Sequence, residues 1–154
     1  MKEFDYDLDY KKLDFTDEET RKLYRIGRGE QGVLLVRPYT NTICAHWRFK
    51  TPREAVISSN CIFGMYLDYR DEGDFIGMDM GRKFLEMGFT RARRYANHSS
   101  GRKYDKMSGK VRPQESDWRT NTKAKSAAIF KEVRDKVAKD PTYQMMRKDW
   151  RSHE

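Results

Sequence analysis

The chain lacks the features that would most readily assign it. It has only two cysteines in 154 residues, Cys44 and Cys61, seventeen apart and outside any CxxC pattern. That excludes a cysteine-based zinc motif and a disulfide framework, and it fits a reducing compartment. No apolar run approaches the ~20 residues that a membrane-spanning helix needs. The start, MKEFDYDLDY, is too acidic and too poor in apolar residues for a signal peptide. We therefore expect a cytoplasmic protein with no membrane partner. Hydrophobic residues are also scarce, at 37% against 36% charged. Three Trp, nine Tyr, eight Phe and eight Met offset that scarcity, because each buries a large area. Helix-turn-helix, zinc-finger and RNA-recognition signatures are missing. So is the Gly-Lys-Ser/Thr of a nucleotide loop, and so is any internal repeat.

What the chain does have is unevenly placed charge. Its formal net charge is +8, yet residues 1–20 hold eight acids against three lysines. Between Arg82 and Arg134 the balance inverts, with fifteen Lys/Arg against five Asp/Glu. Such a concentration favours a polyanionic partner, nucleic acid first and an acidic protein or membrane surface second.

Read in order, the chain suggests a single α+β domain: a small antiparallel, hairpin-based sheet packed against four or five helices, with a long basic loop. Residues 1–15 alternate Phe4, Tyr6, Leu8 and Tyr10 with Asp5, Asp7 and Asp9, as an acidic extended arm or edge strand would. Thr16 and Glu19 have capping-box spacing for a short helix to about Tyr24. Gly27-Arg28-Gly29-Glu30-Gln31-Gly32 precedes an apolar run instead of following one, so it is not a nucleotide loop. Its glycines would still let the backbone approach a ligand, which keeps Arg28 and Glu30 as candidates. Val33–Tyr39 and Ile43–Phe49 read as strands around Thr40-Asn41-Thr42. That register would place His46, Arg48 and Lys50 on one face. Thr51, Pro52 and Glu54 open a helix to about Tyr69. Asp68–Asp79 has the length of a calcium loop, but Arg70 stands where a ligand belongs, so we expect no metal and assign Asp74 as a helix cap.

Asp74–His98 dominates the pattern. Phe75, Met80, Phe84 and Met87 have helical spacing, Gly88 reads as a joint between two helices, and a cluster of Arg91, Arg93, Arg94, Tyr95, Asn97 and His98 follows. Residues 98–121 read as a mobile basic loop with Arg102, Lys103, Tyr104 and Trp118. Thr122–Lys139 and a helix opened by Asp140-Pro141 complete the chain, giving C-terminal helices over 122–151.

At GRGEQGVLLV, HWRFKTP, GDFIGMDMGRKFLEMGFTRARRYANH and GRKYD the sequence resembles an uncharacterised family of small bacterial, phage and fungal proteins, a domain of unknown function. The resemblance implies a stand-alone cytoplasmic domain, encoded by a phage in some cases, and no established activity. Its signature positions fall on Arg25, Arg28, Glu30, Gln31, His46, Arg48, Lys50, Asp79, Arg82, Arg91, Arg94, Tyr95, Asn97 and His98. Many are polar, as a shared binding or catalytic surface would require.

Three functions follow. The first is nucleic-acid binding, DNA ahead of RNA and without strong sequence readout. It would use Arg28, Arg48, Lys50, Arg91, Arg93, Arg94, Tyr95, Asn97, Arg102 and Lys103, with Tyr95 and Trp118 stacking on bases. The second is a metal-free, cofactor-free phosphodiester or nucleotide enzyme with His46, His98 and Glu30 as acid/base groups. The third is a phage product that binds and inhibits a host protein. Nucleic-acid binding stands ahead of the enzyme reading, since no spacing rule joins His46 to His98.

Overall fold

A computed structural model describes residues 2–154. Its elements are a 3-10 turn at Tyr10–Lys12 and six helices: α1 Glu18–Arg21, α2 Tyr39–Cys44, α3 Pro52–Asp71, α4 Phe75–Asn97, α5 Thr122–Lys139 and α6 Pro141–Ser152. Among the described residues there is no strand; one isolated antiparallel bridge joins Tyr104 to Val111. The fold is therefore all-helical, and the expected α+β architecture with its hairpin sheet is overturned.

The error lies between residues 33 and 49. Val33, Val36, Tyr39, Thr40 and Ile43 are buried while Leu34, Asn41 and Thr42 are exposed. Burial every three or four residues is the period of turns and helices, not of a strand. The first half closes as successive turns, Val33 N–H to Glu30 O at 3.1 Å and Leu35 N–H to Gly32 O at 3.0 Å. Gly32, at φ +76°, turns the chain against the Phe4 ring, which occupies the space a Cβ would fill. The Thr-Asn-Thr expected as a hairpin turn lies inside α2. There the Thr40 hydroxyl donates to Val33 O at 2.9 Å and that of Thr42 to Pro38 O at 3.1 Å. Arg37-Pro38 is a cis peptide.

The longer helices follow their sequence signals. Thr51, Asp74, Asn121 and Asp140 each accept a backbone N–H of the first turn of α3, α4, α5 and α6. In α1 the cap is Asp17, not Thr16, and the helix ends at Arg21. Gly88 is no joint: α4 runs unbroken for 23 residues. The Phe130 ring of α5 lies 2.3 Å from where a Gly88 Cβ would sit, so the glycine exists to let the two helices approach.

Helix α4 is the axis of the molecule. It packs against α3 and α5, which also pack on each other, and α2 and α6 close the remaining sides. From Phe75 to Leu85 every residue but Arg82 is buried. The N-terminal segment is neither a strand nor a bare arm. Phe4, Tyr10 and Phe15 are buried in a ladder of stacked rings, while Tyr6 stays exposed.

Candidate nucleic-acid interface

The C-terminal half of α4 emerges from the core and changes character there. Ala92 and Ala96 remain buried, because small side chains let α5 lie close; Arg91, Arg94 and Tyr95 are exposed. Arg91 and Arg94, three apart, share one face. Arg93 is engaged differently. Its Nε donates to Asn97 Oδ1 at 3.1 Å, a terminal nitrogen donates to Trp118 O, and its guanidinium lies 5.5 Å from the Trp118 ring centre. Arg119 lies 4.7 Å from the same ring. Two guanidiniums thus occupy the neighbourhood of the indole expected to stack on bases. Tyr95, 38% exposed, remains accessible beside Phe49.

After α4 the chain leaves and returns, and its base is pinned. His98 is buried, and its Nδ1–H donates to Pro113 O at 3.2 Å. Glu115 N–H donates to Asn97 O at 2.7 Å, and Glu115 Oε1 accepts Ser99 N–H at 3.0 Å. Asn121 Nδ2 donates to Ala96 O at 2.8 Å. From this base Arg102–Arg112 projects as a hairpin-like arm.

Charge is distributed unequally between the two sides of this region. From Arg91 to Lys125 there are eleven Lys/Arg and three acids. Among the described residues, none of those eleven cations lies within 4.0 Å of a carboxylate. The three acids serve the chain's own turns. Asp105 accepts Met107 N–H and Ser108 N–H, both at 2.9 Å, and Glu115 accepts Ser99 N–H. These backbone bonds hold both carboxyls below their ordinary values. Asp117 accepts Asn121 Nδ2 at 3.3 Å. Elsewhere several arginines are paired, Arg21 with Asp74, Arg70 with Asp140, Arg82 with Asp79 and Arg134 with Glu86, while Arg25, Arg37, Arg48, Arg53 and Arg147 have no carboxylate within 4.0 Å among the described residues.

The remaining candidates are scattered. His98, Arg93, Arg94, Asn97 and Lys103 line one open cleft of about 410 Å3. Glu30, Arg28 and Arg91 line a second, of about 580 Å3. His46 and Arg48 line a third of only about 130 Å3, with Glu54 and Cys61. None of these three clefts holds two of His46, His98 and Glu30. Glu30 Oε2 accepts the Thr90 hydroxyl at 2.6 Å, which ties the glycine loop to α4 between the first two clefts. Arg48 folds back on its own backbone, donating to Trp47 O at 2.7 Å, and Lys50 presents its carbonyl to Lys123. The predicted row of His46, Arg48 and Lys50 along a strand does not exist, because that strand does not exist. Among the described residues no three His, Cys, Asp or Glu side chains form a metal-binding group. Among the same residues no helix is long and apolar enough to cross a membrane.

Residues 5–153 match the model of a family described as a domain of unknown function, DUF4385. The chain belongs to that family. No curated protein and no solved structure matches it.

Several of the polar candidate residues prove to be internal. Asp79 is fully buried in α4. Its carboxylate accepts the hydroxyls of Tyr24 and Tyr143, the latter at 2.6 Å, and Arg82 Nε at 2.7 Å, with Lys83 Nζ 3.9 Å away. Burial would raise the Asp79 carboxyl, yet Arg82 and Lys83 hold it at about 2. Burial also pushes the Lys83 ammonium down to about 7, against the pull of Asp79. The cations of this network grip the glycine loop. Lys83 donates to Arg25 O at 3.4 Å, Arg151 to Gly27 O at 3.0 Å and Arg82 to Gly29 O at 3.0 Å. Gln31 Oε1 accepts Arg28 N–H at 2.9 Å. Sequence reasoning missed Lys83, Tyr24 and Tyr143. The available signal was three ionisable residues, Asp79, Arg82 and Lys83, at helical spacing within an otherwise apolar stretch.

Proposed function

We propose that this protein binds nucleic acid, duplex DNA ahead of RNA, through the phosphate backbone. The surface is the exposed face of the α4 C-terminal half together with the segment that follows it. The observation that carries this reading is the concentration of eleven cations against three acids from Arg91 to Lys125, none of the eleven with a carboxylate partner among the described residues. Cations without counter-charges, five on α4 and α5 and six on the segment between them, displace the condensed counterions of the duplex when they neutralise its phosphates, and that release drives binding. Arg91, Arg94, Arg102 and Lys103 are the exposed contacts; Arg93 positions the returning chain. Weak sequence readout accords with the same contacts, since the Asn97 amide oxygen and the His98 Nδ1 are taken by Arg93 and Pro113. Lys50 adjoins this surface, its carbonyl accepting from Lys123, whereas Arg48 folds back on Trp47 O.

The test is a fluorescence anisotropy titration with labelled duplex DNA, single-stranded DNA and RNA at two salt concentrations, the same samples then being run on a denaturing gel. The expected result is salt-dependent binding with intact oligonucleotides. Removing Arg91 and Arg94 together should lower the log–log salt slope on duplex DNA by about 0.9 for each phosphate that these side chains neutralise. Absence of binding at low salt, or a slope indifferent to these substitutions, overturns the reading.

A further inference from the structure

Resting on that reading, we infer that Lys103–Arg112 is an arm that enters a groove of duplex DNA, with Met107 at its tip as a wedge between stacked base pairs. The arm is built, not merely extended. Arg112 N–H donates to Lys103 O at 2.6 Å and Asp105 N–H to Lys110 O at 2.8 Å, and Tyr104 pairs with Val111 between them. At the tip, Gly109 at φ +68° donates to Asp105 O at 2.9 Å, and the Asp105 carboxylate accepts the amides of Met107 and Ser108. The end of the ribbon is thus a closed turn that holds Met107 outward.

Met107 is 96% exposed, a large apolar side chain with nothing to cover it. It is not a stray surface residue, because Tyr104 and Val111 on the same ribbon are 55% and 61% exposed. A short element with three uncovered apolar side chains pays for that exposure in solubility unless a partner covers them. The chemistry of that partner is indicated by the four cations interleaved with them, Lys103, Lys106, Lys110 and Arg112, none with a carboxylate within 4.0 Å among the described residues. Phosphates on both sides of a groove satisfy the lysines while the base edges and stacked faces cover the apolar groups. A two-segment ribbon closed by a single antiparallel bridge is narrow enough to enter a groove. Methionine is among the side chains that groove-binding proteins insert between base steps, unstacking them and bending the duplex. The arm is also well placed for leverage, since its base is pinned to the end of α4 through His98 and Pro113.

The experiment uses the full chain and a duplex carrying internal 2-aminopurine, whose fluorescence rises when its stacking is disrupted. Wild type should raise that fluorescence several-fold at saturation. Met107→Ala should still bind the duplex with the same salt slope, because phosphate contacts set that slope, yet lose the fluorescence rise. Met107→Leu should keep it. If wild type binds the duplex with no rise, or Met107→Ala gives the same rise, the wedge is wrong and the backbone-binding reading stands. If neither protein binds the duplex at low salt, both fall. Binding to vesicles of anionic phospholipid that depends on Met107, without binding to the duplex, also overturns the proposal and makes the arm a membrane contact.

Discussion

At the scale of single residues, Asp79 decides the interior. It is the one fully buried carboxylate among the described residues, and it balances Arg82 and Lys83 while accepting from Tyr24 and Tyr143. Removing one partner of such a pair leaves the other charge buried and uncompensated, at a cost of about 3–5 kcal/mol. Asp79→Asn should therefore lower the denaturant midpoint by a corresponding amount. The pH dependence has two parts. Asp79 is held at about 2, below its ordinary 3.8, so its contribution is full above 3.8 and fades as pH falls toward 2. Lys83 is pushed from 10.5 to about 7, so between those values the unfolded chain binds a proton that the folded chain does not. Stability should rise with pH across that window. Denaturation at pH 7 and pH 9 should show the rise in wild type and a smaller one in Lys83→Met. Equal increments in the two proteins would refute the assignment.

At the scale of elements, α4 shows that Gly88 serves packing and not helix termination. A helix-terminating glycine and a glycine that admits a neighbouring ring are indistinguishable in sequence, since both mark a missing Cβ. Gly88→Ala would gain helix propensity but drive a methyl into the Phe130 ring, 2.3 Å away. Overpacking of this kind costs about 1–3 kcal/mol. The expected outcome is a lower Tm, partly restored when Phe130→Leu is added, because the smaller side chain vacates the space. A Tm raised by Gly88→Ala alone would show that the two helices meet more loosely than the geometry indicates. The cap residues Thr51, Asp74 and Asp140 are legible in sequence because capping is local chemistry: a side-chain oxygen reaches an amide two or three residues on.

At the scale of the molecule, stability and charge are segregated. The glycine loop, α4 and α6 are bound together by Asp79, Arg82, Lys83 and Arg151, whereas Arg102–Arg112 contributes no buried residue. Replacing Arg102–Arg112 by a short Gly/Ser connection should shift Tm by no more than about 2 °C, as surface changes usually do. The same replacement should flatten the salt dependence of DNA binding by about 0.9 in slope for each removed cation that neutralises a phosphate. A large fall in Tm would show that the arm supports the fold.

The chain by itself determined what depends on neighbours in sequence. The starts of α3, α4, α5 and α6, the extents of α3 and α5, and the family were all legible in local spacing and motif. So was the cationic cluster from Arg91 onward, since charge density is a property of composition along the chain. Only the tertiary structure decided the rest. Residues 33–49 carry apolar side chains at spacings that fit a strand or a turn-rich helix, and the absence of any partner strand among the described residues settled the choice. Polar residues taken for a shared surface divided into two sets. Asp79, Arg82, Glu30 and Gln31 turned inward to hold the glycine loop, and Arg91 and Arg94 stayed outside without counter-charges. Which set a residue joins depends on the side chains and carbonyls that the fold brings to it from distant positions, and a one-dimensional pattern contains no distances between them.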